Sequence, residues 1–313
     1  MRMIVGAYAA LPSLHLGPQP KLDPLFFDGM REIPEIDGLE IPYWGESKDT
    51  LSFLNASDSR WTNVFTLIPG VMDALKQDPV FGIASNDAAG RKRAIDYCRQ
   101  AHAALVQTND RLGRRAFCAI EIHTAPQLGK PGVTSSSTEA LLRSLDELRN
   151  WDWQGAELLI EHCDAFVPGQ PPVKGFMTLD REIEAITGTH GPTPCGILIN
   201  WARSAIEGRS TQTPADHIRK ARAEGLLRGL IFSGTARSNP IYGDWSDSHA
   251  PFETEGSLLN LETARAAIEA AGGAEKLAVF GIKMQTLPGT MTVPERIAFI
   301  RRNVEFALQA ARS

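Results

Sequence analysis

The chain has 313 residues, 43% of them hydrophobic and 22% charged, with a formal net charge of -5. Acidic and basic residues are interspersed without long blocks of either sign, which speaks against a nucleic-acid footprint and favours a small-molecule partner. The N-terminal apolar run is too short to span a membrane and reads as a buried strand, with no signal peptide expected, and Cys98, Cys118, Cys163 and Cys195 have neither CxxC spacing nor disulfide density; reduced thiols in a cytoplasmic protein are expected.

Short apolar runs bounded by Gly, Pro or polar loops alternate with segments of helical period, the pattern of βα units around a parallel sheet. Strands are predicted at 4–9, 39–43, 64–68, 117–123, 157–162, 196–200, 230–233 and 278–283, each followed by a helical pattern. The clearest helices are 91–106, 139–150, 215–224, 261–271 and 294–311, with Pro294 suited to the first turn of the last. This alternation predicts an α/β chain folded as one (β/α)8 TIM barrel over 1–313. An open doubly wound sheet is the alternative, but no GxGxxG follows the first strand. Two long connections, KQDPVFGIASNDAAGR after the third strand and TARSNPIYGDWSDSHAPFETEG after the seventh, are expected on the face where barrel loops carry chemistry.

Side chains alternate along a strand, so polar residues at the ends of apolar strands face either the barrel mouth or the helix layer. The fourth strand ends in Glu121-Ile-His123, two groups on one face, of which one alternatively is a satisfied interior polar residue. The fifth ends in Glu161-His162-Cys163-Asp164, directly after three aliphatic residues. An unpaired carboxylate is too costly to bury casually, which marks Glu161 as an inward functional acid or base, with His162 and Asp164 as a supporting pair behind it. The sixth runs into Asn200-Trp201-Ala-Arg203 and on to Glu207 and Arg209, a substrate-binding pattern. Arg203 and Arg209 suit an anionic group, the alternative being salt bridges to Glu207 or Asp164; Trp201 either stacks on a sugar or fills the core. Lys283 ends the eighth strand as an electrostatic group, a Schiff-base former or an ammonium paired with Glu161. Asp247 lies in the long loop as a substrate contact, with His249 beside it as a ligand or a lid residue.

With its IVGAYA, EIHTAP, EHCDAF, NWARSAIEGR, FSG and DSHAP segments, most of the chain resembles an uncharacterised bacterial family of xylose-isomerase-like barrels. The wider superfamily holds sugar isomerases and epimerases, inositol-catabolism enzymes and an apurinic endonuclease. Its metal-binding members take Glu, Asp, His and Glu from the late strands. By strand order these positions fall here on Glu161, Asn200, Ser233 and Lys283, so three of four depart from the set.

A hard cation needs anionic or imidazole donors, and a lysine repels it: even two unit charges at about 4 Å and an effective dielectric of about 20 interact by roughly 4 kcal/mol. No cofactor is therefore firmly expected; if a divalent metal is held, Glu161, His123 and His249 are its ligands. The resemblance implies a carbohydrate or sugar-acid isomerase or epimerase moving a proton next to a carbonyl. In that reading Glu161 or His123 is the base, Lys283 the stabiliser, His249 a lid acid, and Glu121, Asn200, Trp201, Arg203, Arg209 and Asp247 bind substrate. A lyase or aldolase using Lys283, and a non-catalytic carbohydrate-binding barrel, remain as alternatives. Nucleic acid and membrane are not expected partners, and a homo-oligomer is left open.

Overall fold

In the computed structural model, which describes residues 2–45, 48–56, 58–133 and 135–312, eight parallel strands close into a barrel in sequence order. They are β1 (Met3–Val5), β2 (Gly38–Pro42), β3 (Asn63–Thr66), β4 (Phe117–Ile122), β5 (Glu157–His162), β6 (Cys195–Asn200), β7 (Leu227–Phe232) and β8 (Val279–Ile282). Between and after them come α1 (Pro12–Leu16), α2 (Leu22–Arg31), α3 (Lys48–Ala56), α4 (Ile68–Gln77), α5 (Ala88–Leu112), α6 (Thr138–Leu148), α7 (Leu179–Thr187), α8 (Trp201–Gly208), α9 (Thr213–Ala223), α10 (Leu261–Ala271) and α11 (Val293–Ala311). The barrel closes where β1 pairs with β8, Met3 opposite Phe280 and Val5 opposite Ile282.

Two apolar layers follow from strand alternation. The outward side chains of the strands merge with the helices into the main core, which includes Phe65, Ile120, Ile160, Ile199 and Phe232. Burying each such side chain is worth about 1.5–3 kcal/mol relative to leaving it in water. The inward side chains Ile4, Val64, Ala119, Leu159, Leu198, Ile231 and Val279 form a separate plug inside the barrel. Two residues further along each strand, on the same face, come Thr66, Glu121, Glu161, Asn200 and Ser233. The barrel thus has a dry floor and, directly above it, a polar layer.

Element boundaries differ from the sequence reading at several ends, among them β7, which begins at Leu227, and α5, which runs from Ala88 to Leu112; two differences shape the mouth. The first predicted strand extends to residue 9, whereas β1 stops at Val5 and Ala7–Ala10 form a 3-10 turn. The last ladder bond there is Gly6 N–H to Ile282 O at 2.8 Å; beyond it the backbone has no strand partner and coils. The third predicted strand ends early because α4 begins at Ile68, with Pro69 in its first turn. The segment 78–87 therefore joins α4 to α5, and it still lies over the C-terminal ends of the strands, where Ala84 N–H donates to Ala125 O at 3.0 Å. Among the described residues no helix is long and apolar enough to cross a membrane.

Candidate functional site

Glu161 stands at the centre of the polar layer, fully buried, with both oxygens engaged. Oε2 faces His123 Nε2 at 2.7 Å and an Arg203 guanidinium nitrogen at 2.6 Å. Oε1 accepts from Asn200 Nδ2 at 3.0 Å and lies 3.7 Å from Lys283 Nζ. Burial alone would raise this carboxyl, but Arg203, Lys283 and the His123 hydrogen bond outweigh it and hold Glu161 well below the usual carboxylate range. Local sequence explains the Arg203 position. Asn200 caps α8 by accepting from Arg203 N–H, so the helix starts at the strand end and its first turn projects Arg203 into the mouth.

A second carboxylate, Glu40 on β2, lies 2.6 Å from Lys283 Nζ, and the Tyr8 hydroxyl donates to the same oxygen at 3.4 Å. The Lys283 ammonium also sits 5.4 Å from the centre of the Tyr8 ring. Burial opposes a charge on Lys283, but Glu161 and Glu40 overcome it and hold the ammonium protonated. Gly6 makes this pair possible, since a Cβ there would stand 2.8 Å from both Glu40 Oε2 and Lys283 Cγ. Glu121 has no ion-pair partner of its own among the described residues. Burial, then Glu40 and Glu161, push it well above the ordinary carboxylate range, so it is the carboxyl that keeps its proton.

His123 is equally buried, yet it is neutral: burial lowers it to about 4, with Arg203 and Lys283 adding to the effect against the pull of Glu161. An ionised Glu161 accepts from a protonated Nε2, which leaves Nδ1 with the lone pair, and among the described residues Nδ1 has no hydrogen-bond partner.

The long loop after β7 covers the layer. Asp247 binds Arg203 Nε at 3.2 Å and Lys174 Nζ at 3.1 Å, and these cations hold it well below its usual value despite burial. His249 Nδ1 lies 2.7 Å from Ser233 Oγ and 3.5 Å from Asp247 Oδ1, and burial lowers the ring to about 3. Trp245 and His249 flank Asp247 with φ of 46° and 53°, left-handed values that a large side chain adopts at a cost.

The structure brings Glu121, His123, Glu161, Asn200, Arg203, Asp247, His249 and Lys283 together. It separates others. Trp201 points into the main core with no exposed surface, because it follows the inward Asn200 and starts α8 on the opposite face. The supporting pair expected of His162 and Asp164 does not form. His162 faces outward to Glu182 at 2.7 Å and Glu207 at 3.1 Å, while Asp164 accepts from the backbone N–H groups of Val173, Lys174 and Gly175 and so places Lys174 on Asp247. Lys283 pairs closely with Glu40 rather than with Glu161 alone. Arg209 lies on the rim, its guanidinium 5.3 Å from the Trp245 ring and donating to the carbonyl oxygens of Trp245 and Pro171, with the Asp164 charge close enough to act on it.

Glu40, Tyr8 and Lys174 escaped the sequence reading. Glu40 carried a usable signal, one carboxylate between Leu39 and Ile41 in a predicted strand.

Among the described residues, two groups of side chains have ligating atoms within 4.8 Å of one another, His123–Glu161–Cys163 in the mouth and His162–Glu207–His217 outside it. The mouth does not fit a divalent ion. The Arg203 guanidinium already stands 2.6 Å from Glu161 Oε2 and 3.2 Å from Cys163 Sγ, in the place a cation would take. His249 faces Ser233 and Asp247 and joins neither group, so Glu161, His123 and His249 do not meet as a ligand set.

Comparison with known proteins matches residues 4–299 to the model of a domain of unknown function, DUF4862. An uncharacterized protein of Salmonella typhimurium (strain LT2), STM3670, is 35% identical over 99% of this chain and 97% of its own. Among solved structures, a putative xylose isomerase from Rhodospirillum rubrum superposes with a TM-score of 0.64 at 9% identity over 99% of both chains. A D-psicose 3-epimerase crystallised with D-fructose gives 0.61 at 11% identity over 93% of this chain and 94% of its own. The fold is that of the xylose-isomerase-like TIM barrels.

Proposed function

Because the chain belongs to the DUF4862 family and shares its fold with sugar isomerases and epimerases, we propose that it is an isomerase or epimerase of a carbohydrate or sugar acid, transferring a proton next to a carbonyl without a metal. The observation that carries this reading is the Glu161 cluster: a neutral imidazole with a free Nδ1, oriented by a carboxylate that two cations keep ionised.

In this mechanism His123 Nδ1 takes the proton from the carbon beside the carbonyl. Glu161 fixes its tautomer and steadies the imidazolium that forms. Held so far below its usual value, Glu161 itself is a weak base, which assigns that role to His123. As the carbonyl oxygen gains charge, the Lys283 ammonium and the Arg203 guanidinium stabilise the enediolate, and the low dielectric of the layer strengthens both. Glu121, still protonated, gives its proton to carbon, on the opposite face of the same carbon for epimerisation or at the former carbonyl carbon for isomerisation, where the hydroxyl proton also moves between the two oxygens. The proton held on His123 then passes to Glu121 and resets both groups. Arg209 on the rim receives an anionic group of the substrate. The loop carrying Asp247 and His249 opens for entry and closes over the reaction.

The test is deuterium exchange in D2O containing chelator, read by NMR for a panel of ketoses, aldonic acids and uronic acids. Exchange beside the carbonyl is expected with the native chain and its loss with His123→Gln; exchange that needs added metal would refute the reading. Borohydride in the presence of substrate should leave Lys283 unmodified, since its ammonium is paired, and a trapped adduct would favour a lyase.

A further inference from the structure

We propose that His162, Glu207 and His217 form a second, separate site on the outer wall of the barrel, one that binds a single zinc ion. β5 shows Glu161 to the mouth and His162 to the helices, so the two functions occupy opposite sides of one strand. Glu207 comes from the last turn of α8 and His217 from α9. His162 Nε2 is 3.1 Å from Glu207 Oε2, His217 Nε2 is 3.7 Å from Glu207 Oε1, and the imidazole centres are 4.9 Å apart. The edges of a tetrahedral zinc shell with N and O ligands are about 3.3 Å, so an ion fits among these atoms after small side-chain adjustments.

The outer partners supply the independent observation. Each imidazole turns Nε2 to the shared carboxylate and has its Nδ1 fixed from behind, His162 by Glu182 at 2.7 Å and His217 by Ser204 at 3.0 Å. Thr124 in turn holds Glu182 at 2.6 Å, and Ala165 N–H holds Glu207 Oε2 at 2.9 Å. Orientation of both ring nitrogens in this way is how proteins prepare histidines for a metal. Among the described residues no lysine or arginine forms an ion pair with Glu207; the cation that faces it is His162 itself, whose proton zinc would displace. The His162 side chain is fully buried, while those of Glu207 and His217 are 15% and 14% exposed, which leaves water a path to the fourth position. Once His162 releases its proton to the incoming ion, two neutral imidazoles and one carboxylate make a zinc donor set, so binding is expected to strengthen with rising pH. The ion would tie the end of β5 to α8 and α9, behind the residues that hold Glu161 and Arg203.

The experiment strips the full-length chain with chelator, reloads it with Zn²⁺ and then with Co²⁺, and measures bound metal and the visible spectrum. One equivalent is expected, with the cobalt form showing tetrahedral bands and no sulfur-to-cobalt charge transfer. His217→Ala should lose the equivalent, Glu182→Gln should weaken zinc binding by about 10–100-fold, and Cys163→Ser should leave stoichiometry unchanged. A chain that retains no ion, a thiolate band, or loss of metal on Cys163→Ser would overturn the proposal, the last two by placing the ion in the mouth. If His217→Ala does not fold, the cobalt spectrum of the native chain decides the matter. Exchange activity that persists in chelator separates this site from the proposed reaction.

Discussion

His123 and His162 are both fully buried imidazoles that face a glutamate at 2.7 Å, yet burial and neighbours push the first down to about 4 while the second rises to about 10. Burial works against charge in both. The difference is who shares the carboxylate. Glu161 is divided among His123, Arg203, Asn200 and Lys283, so little of its field is left for the ring. His162 has Glu182 and Glu207 on its two nitrogens, and in the absence of metal it is an imidazolium between two carboxylates. A single contact distance therefore says little about protonation in a protein interior; the balance of charges around the pair decides it.

The largest test of this contrast is alkaline stability of the metal-free chain. With a folded value near 10 against 6.5 unfolded, the His162 contribution is fully present below about pH 6.5 and disappears as pH rises through 10. That loss is on the order of 5 kcal/mol, measurable as a falling denaturant midpoint and absent in a His162→Gln background. Next, His123→Gln keeps a donor for Glu161 but removes the free lone pair, and turnover should fall by about 10²–10⁴-fold. On the acid side the sign reverses. His123 binds its proton less readily folded than unfolded, so stability drops by about 3 kcal/mol as pH falls from 6.5 through 4. His217 and His249, which burial also lowers, add to that loss.

Arg203→Met sharpens the comparison directly. Without the guanidinium, Glu161 has more of its charge to offer His123, and the ring should titrate above its native value by NMR. An unchanged His123 titration would show that burial alone sets it. The smallest effect is expected at the rim, where Arg209→Ala should raise KM for an anionic substrate about tenfold. Its effect on stability should stay within about 0.5 kcal/mol.

The eight strands were legible because parallel barrel strands are buried on both faces and read as short aliphatic runs. The inward set Glu121, His123, Glu161, Asn200 and Lys283 followed from period-two alternation at strand ends. What alternation cannot supply is the partner. Lys283 was read against Glu161, but closure of the barrel brings β8 beside β1 and next but one to β2, and this sets Glu40 closer. Of the two places open to Trp201, a sugar face or the core, the structure takes the core, since the chain turns from strand to helix at that residue and the strand rule no longer applies. His162, Glu182, Glu207 and His217 come from β5, α7, α8 and α9, whose rotations about their own axes are fixed only by packing.

The seam between β1 and β8 gives the polar layer an order of assembly. Glu40, Glu121 and Glu161 are all made before residue 162, whereas the ammonium that balances them arrives only at 283, at the edge that closes last in the chain. Glu161 already has His123, Asn200 and Arg203 from earlier elements, whereas among the described residues Glu40 has its close ion pair only with Lys283. Burying Glu40 ahead of β8 would leave a carboxylate without its cation, a cost that disfavours sealing the barrel before its last strand docks.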